Sequence, residues 1–130
     1  MSDVPAGLFY SEEHEYLKPT DEEGVYLIGV TDYAQGELGD VVFLELPSEG
    51  ESFGAGDVFG TIEAVKAVSD LYAPVGGEVV DVNTSLDDDP ALVNSDPYGE
   101  GWMIRLKVSD ESELEDLLDD SGYTKLIGED

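Results

Sequence analysis

The chain has 130 residues, no cysteine, and 32 acidic against five basic side chains, for a formal net charge of −27. Its length suits one domain with a sizeable core. The missing thiols exclude a disulfide framework and a thiolate metal site or nucleophile, and the charge excludes nucleic acid and anionic membrane as partners, since both need basic surface.

A hydrophobic fraction of 41%, with aromatics spread along the chain, argues for a folded core rather than a disordered acidic segment. Self-repulsion at this charge destabilises a compact state in dilute buffer. Molar salt shortens the Debye length to about 3 Å and removes much of that repulsion, so the composition predicts a halophilic protein. Residues 1–10, MSDVPAGLFY, lack the basic start and apolar run of a signal peptide. No apolar run approaches a membrane span. Both features predict a cytoplasmic location.

In chain order, residues 1–10 read as a lead-in whose Val4, Leu8, Phe9 and Tyr10 can pack on the body. The segment from Ser11 to Tyr16 follows. It carries His14, the only histidine, which excludes a histidine metal cluster and, standing alone, reads as structural or exposed. Residues 18–24 form a turn and residues 25–30 a strand. Thr31 or Asp32 can cap a short helix to about Leu38, closed by Gly39. Residues 41–46 are a strand, and turns at 47–50 and 54–57 flank a short extended piece at 51–53.

The stretch from Gly60 to Gly77, GTIEAVKAVSDLYAPVGG, organises the chain. Val58, Phe59, Thr61 and Ile62 before Lys66, and Val68, Leu71 and Tyr72 after it, have strand character. Gly60 on one side and Pro74, Gly76 and Gly77 on the other mark bends at the outer ends. The pattern predicts a hairpin with Lys66 at its tip. On that pattern alone the lysine is an ordinary solvated residue.

Beyond the hairpin, residues 78–83 are a strand and residues 84–90 a loop. Asp87-Asp88-Asp89 reads as a solvated turn, because the spacing of a calcium loop is absent. Residues 91–94 are a short helical or extended piece, and 95–101 an ordered turn. Residues 102–108 are a strand, with Ile104, Leu106 and Val108 on one face and Arg105 and Lys107 on the other. Asp110 with Glu113 predicts a capping box and a C-terminal helix over about 110–121. Leu114, Leu117 and Leu118 would share one face, and Gly122 would end it. Asp119 and Asp120 would then sit at the end the dipole disfavours. These elements predict a mostly β sandwich or flattened barrel with a short helix after the second strand and a helix at the C-terminus. The core spans about residues 8–108 of a single domain, 1–130.

Several segments together resemble one family. They are Glu13-His14-Glu15, Gly29-Val30-Thr31, Leu38-Gly39-Asp40-Val41-Val42-Phe43, Glu63-Ala64-Val65-Lys66-Ala67 with Ser69-Asp70, Asn83, Pro90, Asn94, and Pro97-Tyr98-Gly99-Glu100-Gly101-Trp102. The chain from about Ser11 to Tyr123 is similar to the H protein of the glycine cleavage system. The acid-x-x-Lys-Ala hairpin alone is shared with lipoyl domains of 2-oxo-acid dehydrogenases, whereas the Glu-His-Glu and Pro-Tyr-Gly-x-Gly-Trp segments are specific. Val65 and Ala67 stand where biotin carriers place methionines. Tyr16 departs from the family's usual Trp, and Ala64 from a frequent Ser.

The resemblance implies a lipoyl-domain-like barrel-sandwich hybrid that is a carrier and not itself an enzyme, with lipoic acid joined through an amide to Lys66. It implies loading with the aminomethyl group of glycine by a pyridoxal-phosphate glycine decarboxylase (P protein). It further implies unloading by a tetrahydrofolate-dependent aminomethyltransferase (T protein), reoxidation by dihydrolipoyl dehydrogenase (L protein), and a lipoate-attaching enzyme. Glu15 and Asp70, with His14 nearby, are the candidates for holding the loaded arm in a surface cleft. The alternatives are a lipoyl or octanoyl relay for other lipoate-dependent enzymes, a lipoyl domain of a 2-oxo-acid dehydrogenase, and an unmodified acidic β-domain that only binds partners.

Overall fold

The computed structural model describes residues 3–128. Nine strands and five short helical segments run in the order β1 (Phe9–Tyr10), β2 (Glu15–Pro19), β3 (Val25–Val30), α1 (Asp32–Leu38), β4 (Val41–Glu45), β5 (Ser52–Phe53), β6 (Val58–Ala64), β7 (Val68–Tyr72), β8 (Gly77–Val82), α2 (Ser85–Asp88), α3 (Leu92–Ser95), β9 (Ile104–Val108), a 3₁₀ segment (Glu111–Asp116) and α4 (Asp120–Leu126). Every pairing is antiparallel. One sheet has the order β1-β2-β3-β9-β8-β5 and the other β4-β6-β7.

Period-2 alternation decides which side chains meet between the sheets. Leu17, Ile28, Val79 and Leu106 of the larger sheet and Leu44, Ile62 and Leu71 of the smaller one are buried in one cluster. On β9 Ile104, Leu106 and Val108 face inward while Lys107 is exposed and Arg105 half-exposed, as the alternation predicts. A smaller cluster of Tyr10, Tyr16 and Tyr123, with Leu118 and Ile127 against it, seals one side. The mostly β, two-sheet arrangement is the expected one. Its first helix follows the third strand rather than the second, because Phe9 and Tyr10 already pair with Leu17 and Tyr16.

The predicted helix over 110–121 is corrected. The segment Glu111–Asp116 is a 3₁₀ turn capped by Asp110, whose carboxylate accepts from the Ser112 amide. Glu113 does not close a capping box. Its Oε1 accepts from the Gly76 amide at 2.8 Å, a tertiary bond that outcompetes the local one. Leu118 leaves the helical path to exchange two backbone hydrogen bonds with Tyr10. Helix α4 starts afterwards, with Asp119 as its N-cap, accepting from the Gly122 amide at 2.8 Å. Asp119 and Asp120 therefore sit at the favourable end of a dipole, and Gly122 lies inside α4.

Two smaller expectations change. The loop over 84–90 contains a turn of helix, α2, which buries Leu86 and leaves Asp87, Asp88 and Asp89 exposed. Gly60 does not end the hairpin: β6 runs on to Val58, with its register to β7 shifting between Val58 and Gly60. A Cβ at Gly60 would stand 2.3 Å from the Glu45 carbonyl oxygen, so only glycine lets β4 pass this close.

Candidate functional site

The strands on either side of Lys66 pair in register, with Glu63 opposite Val68 and Ile62 opposite Ser69. Lys66 stands in the connection between β6 and β7, and its side chain is exposed. Val65 and Val68 beside it are 71% and 68% exposed, which keeps apolar surface in water next to the amine. The tip is nevertheless held by the main chain. The Ala64 amide donates to Ala67 O at 2.9 Å, the Val65 amide to Asp40 O at 2.9 Å, and the Lys66 amide to Leu38 O at 3.3 Å. The last two bonds tie the tip to the loop that ends α1. Among the described residues the recorded ion pair is Arg105 with Glu22, at 3.6 Å, and it does not involve Lys66.

A cleft of about 250 Å³ begins at that loop. Leu38 and Ala34 of α1, Val30, and Ile62 and Leu71 of the hairpin form its apolar walls. Glu13, His14, Glu15, Glu37 and Asp70 supply its acidic and polar rim, with Tyr33 beside His14. The structure thus brings Glu15, His14 and Asp70, distant in sequence, to one cleft. Lys66 does not line it, but its amide bonds the carbonyl of Leu38, which does. Asp70 lies on β7 opposite Thr61 and is exposed.

Glu15 is 2% exposed. Its Oε1 accepts from the Ser11 hydroxyl at 2.9 Å and its Oε2 from the Tyr72 amide at 3.3 Å. Burial pushes its carboxyl up to about 8, against the lowering effect of those two donors. It is therefore largely protonated at neutral pH while no cation faces it. The turn that delivers Glu15 inward is tight: the Ser11 amide donates to Glu15 O at 2.9 Å and the His14 amide to Ser11 O at 3.1 Å.

His14 pivots this turn in the left-handed region, at φ 72°. Such a conformation costs a non-glycine residue roughly 1–3 kcal/mol. Its ring repays the strain with contacts. Nδ1 shares a 2.7 Å hydrogen bond with the Tyr123 hydroxyl, which lies 2.8 Å from Thr31 Oγ1. Tyr33 packs on the imidazole at a centroid distance of 5.1 Å. Burial lowers the imidazole pKa, opposed by the nearby Glu13 and Glu37.

Sequence reasoning missed Ser11, Thr31 and Tyr123 as supports of this end of the cleft. Thr31 was legible only as a helix cap, which it also is, accepting from the Ala34 amide. Tyr123 carried no local signal beyond being apolar. Tyr16, at a position the resemblance marks as a departure, is fully buried and donates its hydroxyl to Pro97 O.

A two-sheet β-domain that holds one exposed lysine on a hairpin, with a cleft opening at its root, has the build of a lysine-displaying carrier domain. The chain belongs to the glycine cleavage H-protein family, whose model matches residues 8–130. It is 54% identical over 129 residues to the glycine cleavage system H protein of Carboxydothermus hydrogenoformans, covering 99% of this chain and 98% of that protein. It is 54% identical over 127 residues to the Escherichia coli protein of the same name, covering 98% of each. The crystal structure of a glycine cleavage system H protein from Mycobacterium marinum superimposes with a TM-score of 0.84 at 38% identity, covering 96% of this chain and 99% of that one. The fold is accordingly the barrel-sandwich hybrid expected from the sequence.

Proposed function

We propose that this chain is the lipoyl carrier of a glycine cleavage system, with lipoic acid attached in amide linkage to Lys66, and that it performs no catalysis of its own. The observation that carries this reading is the geometry of Lys66: an exposed residue on a hairpin tip fixed by main-chain bonds, one of them to Leu38 in the wall of the cleft. The residues fit the group. Val30, Ala34, Leu38, Ile62 and Leu71 offer an apolar trough for an alkyl chain, and the carboxyls of Glu13, Glu15, Glu37 and Asp70 line the same cleft.

When attached, lipoyl supplies a dithiolane able to carry the aminomethyl group between enzymes. The protein's own residues bind and shield. With the arm loaded, Glu15 would face its ammonium, releasing the carboxyl proton to solvent as the cation enters and holding the cation with a charge-assisted hydrogen bond. Asp70 adds a second carboxylate at the rim, and His14, with its ring held by Tyr123, walls the far end. The partners are the glycine decarboxylase, the aminomethyltransferase, dihydrolipoyl dehydrogenase and the lipoate-attaching enzyme, in the cytoplasm. The acid excess suits concentrated salt, so the unfolding temperature should rise with added KCl. A fall would end the halophilic reading.

Intact-mass measurement on protein from its own host tests the attachment. A species heavier by one lipoyl group, lost in Lys66→Arg, is expected, and an unmodified native chain would overturn it. Glycine–bicarbonate exchange with the decarboxylase then separates this role from that of a 2-oxo-acid dehydrogenase domain. Faster loss of the aminomethyl group is expected for Glu15→Ala and, to a smaller degree, Asp70→Ala. Unchanged lifetimes would remove both from the site.

A further inference from the structure

The hairpin tip rests on residues 38–40, and that loop has no regular partner of its own. It follows α1, whose last turn closes with the Gly39 amide donating to Gln35 O at 3.0 Å. Gly39 then takes φ 81° and ψ −160°, a combination open essentially to glycine alone. The same residue is pressed from above. A Cβ at Gly39 would lie 3.3 Å from Lys66 Cγ and Cδ and 3.4 Å from Cε. The alkyl stem of Lys66 therefore lies across the bare face of Gly39. The Leu38 and Asp40 carbonyls on either side receive the Lys66 and Val65 amides.

One side chain holds this loop in place. Asn94, on α3, donates through Nδ2 to Gly39 O at 2.9 Å and to Gln35 Oε1 at 2.9 Å, and accepts at Oδ1 from the Val41 amide at 2.8 Å. The three bonds use both amide hydrogens and the carbonyl, and they fix the orientation of the amide. Only a donor satisfies Gly39 O and only an acceptor satisfies the Val41 amide. Asn94 thus joins the end of α1 to the start of β4 and spans the residues that underlie the lysine.

We infer that Asn94 is a positioning residue for Lys66: by clamping residues 39–41 it sets the platform that fixes the root and initial direction of the lysine side chain. The inference rests on the reading of Lys66 as the modified residue and extends it to how the amine is presented. An enzyme that acylates the amine meets a pre-set stem instead of a freely rotating one, which lowers the ordering cost of the encounter. Asp at position 94 has nearly the same shape but no hydrogens to give. It would place a carboxylate oxygen against Gly39 O and Gln35 Oε1, so the clamp would open where it now closes.

The test compares wild type, Asn94→Asp and Gln35→Ala, the last keeping the bonds to Gly39 and Val41. Amide hydrogen exchange at Val65 and Lys66 is read alongside Ile62 and Leu71 in the same hairpin. Intact mass follows the rate at which a lipoate ligase loads each protein. In Asn94→Asp, exchange at Val65 and Lys66 should quicken about tenfold, with Ile62 and Leu71 unchanged, and loading should slow about tenfold through kcat. Gln35→Ala should show the same pattern at about twofold, and it carries the test should Asn94→Asp fail to fold. Exchange at Val65 and Lys66 that stays at the wild-type rate, or quickens only in step with the rest of the hairpin, would overturn the inference. So would loading at the wild-type rate. A wild-type chain that takes no lipoyl group would instead sink the reading of Lys66, and the exchange rates would still decide the clamp.

Discussion

The two ends of the cleft are held differently. At the Lys66 end, amides of residues 64–66 meet carbonyls of Ala67, Asp40 and Leu38, and the side chains of Val65, Lys66 and Val68 point into solvent. At the Glu15 end side chains add to the main-chain bonds of the turn. Ser11 bonds the buried carboxyl, Tyr123 bonds His14, and Thr31 lies against the same hydroxyl. Main-chain bonds survive a change of side chain and side-chain bonds do not. The displaying end should therefore tolerate substitution at its tip, and the receiving end should not.

The largest break is expected at the receiving end. Tyr123 is fully buried and stacks on Tyr10 at 4.8 Å. Tyr123→Ala should cost about 3–5 kcal/mol, read as a lower urea midpoint. A loss no larger than that of an exposed substitution would mean that α4 contributes nothing to this end. At the displaying end the strand itself is a sensitive place. Gly60→Ala drives a methyl into the Glu45 carbonyl and should cost about 1–3 kcal/mol.

The Glu15 end should also be the one that responds to pH. Its carboxyl rises from 4.5 in the unfolded chain to about 8 in the fold, so the native state binds the extra proton between those values. Stability from this residue is complete below about pH 4.5 and is lost as pH rises through about 8. Glu15→Gln removes that loss. Its advantage over wild type should grow from about pH 4.5 to about pH 8 and then level off. A difference independent of pH would show that the carboxylate is already ionised in the fold. The smallest effect sharpens the comparison from the other side. Val65→Ala, at a side chain 71% exposed, should change stability by less than about 0.5 kcal/mol.

The displaying end was legible in the sequence because its signals are local. β-Branched and aromatic residues bracket Lys66 within a few positions on each side, and a hairpin with the lysine at its tip follows from them. The strand containing Ile104, Leu106 and Val108 was legible for the same reason. The acidic C-terminal segment was misread because a local signal competed with a distant one. Asp110 and Glu113 have capping-box spacing, but Glu113 finds the Gly76 amide and Leu118 finds Tyr10. Glu15, His14 and Asp70 were reachable through the resemblance alone. Ser11 and Tyr123 had no signal for their roles here, and Thr31 and Asn94 showed only as a helix cap and as landmarks of the resemblance, since the contacts in question are made only in the finished fold.

The bond between His14 and Tyr123 joins positions 109 apart in the chain. The β6–β7 hairpin, by contrast, pairs residues close together in the chain. Contacts of long separation are the slow ones in folding, and a domain folds as a unit. The far wall of the cleft is therefore the part of the site that closes only when the two ends of the chain have met.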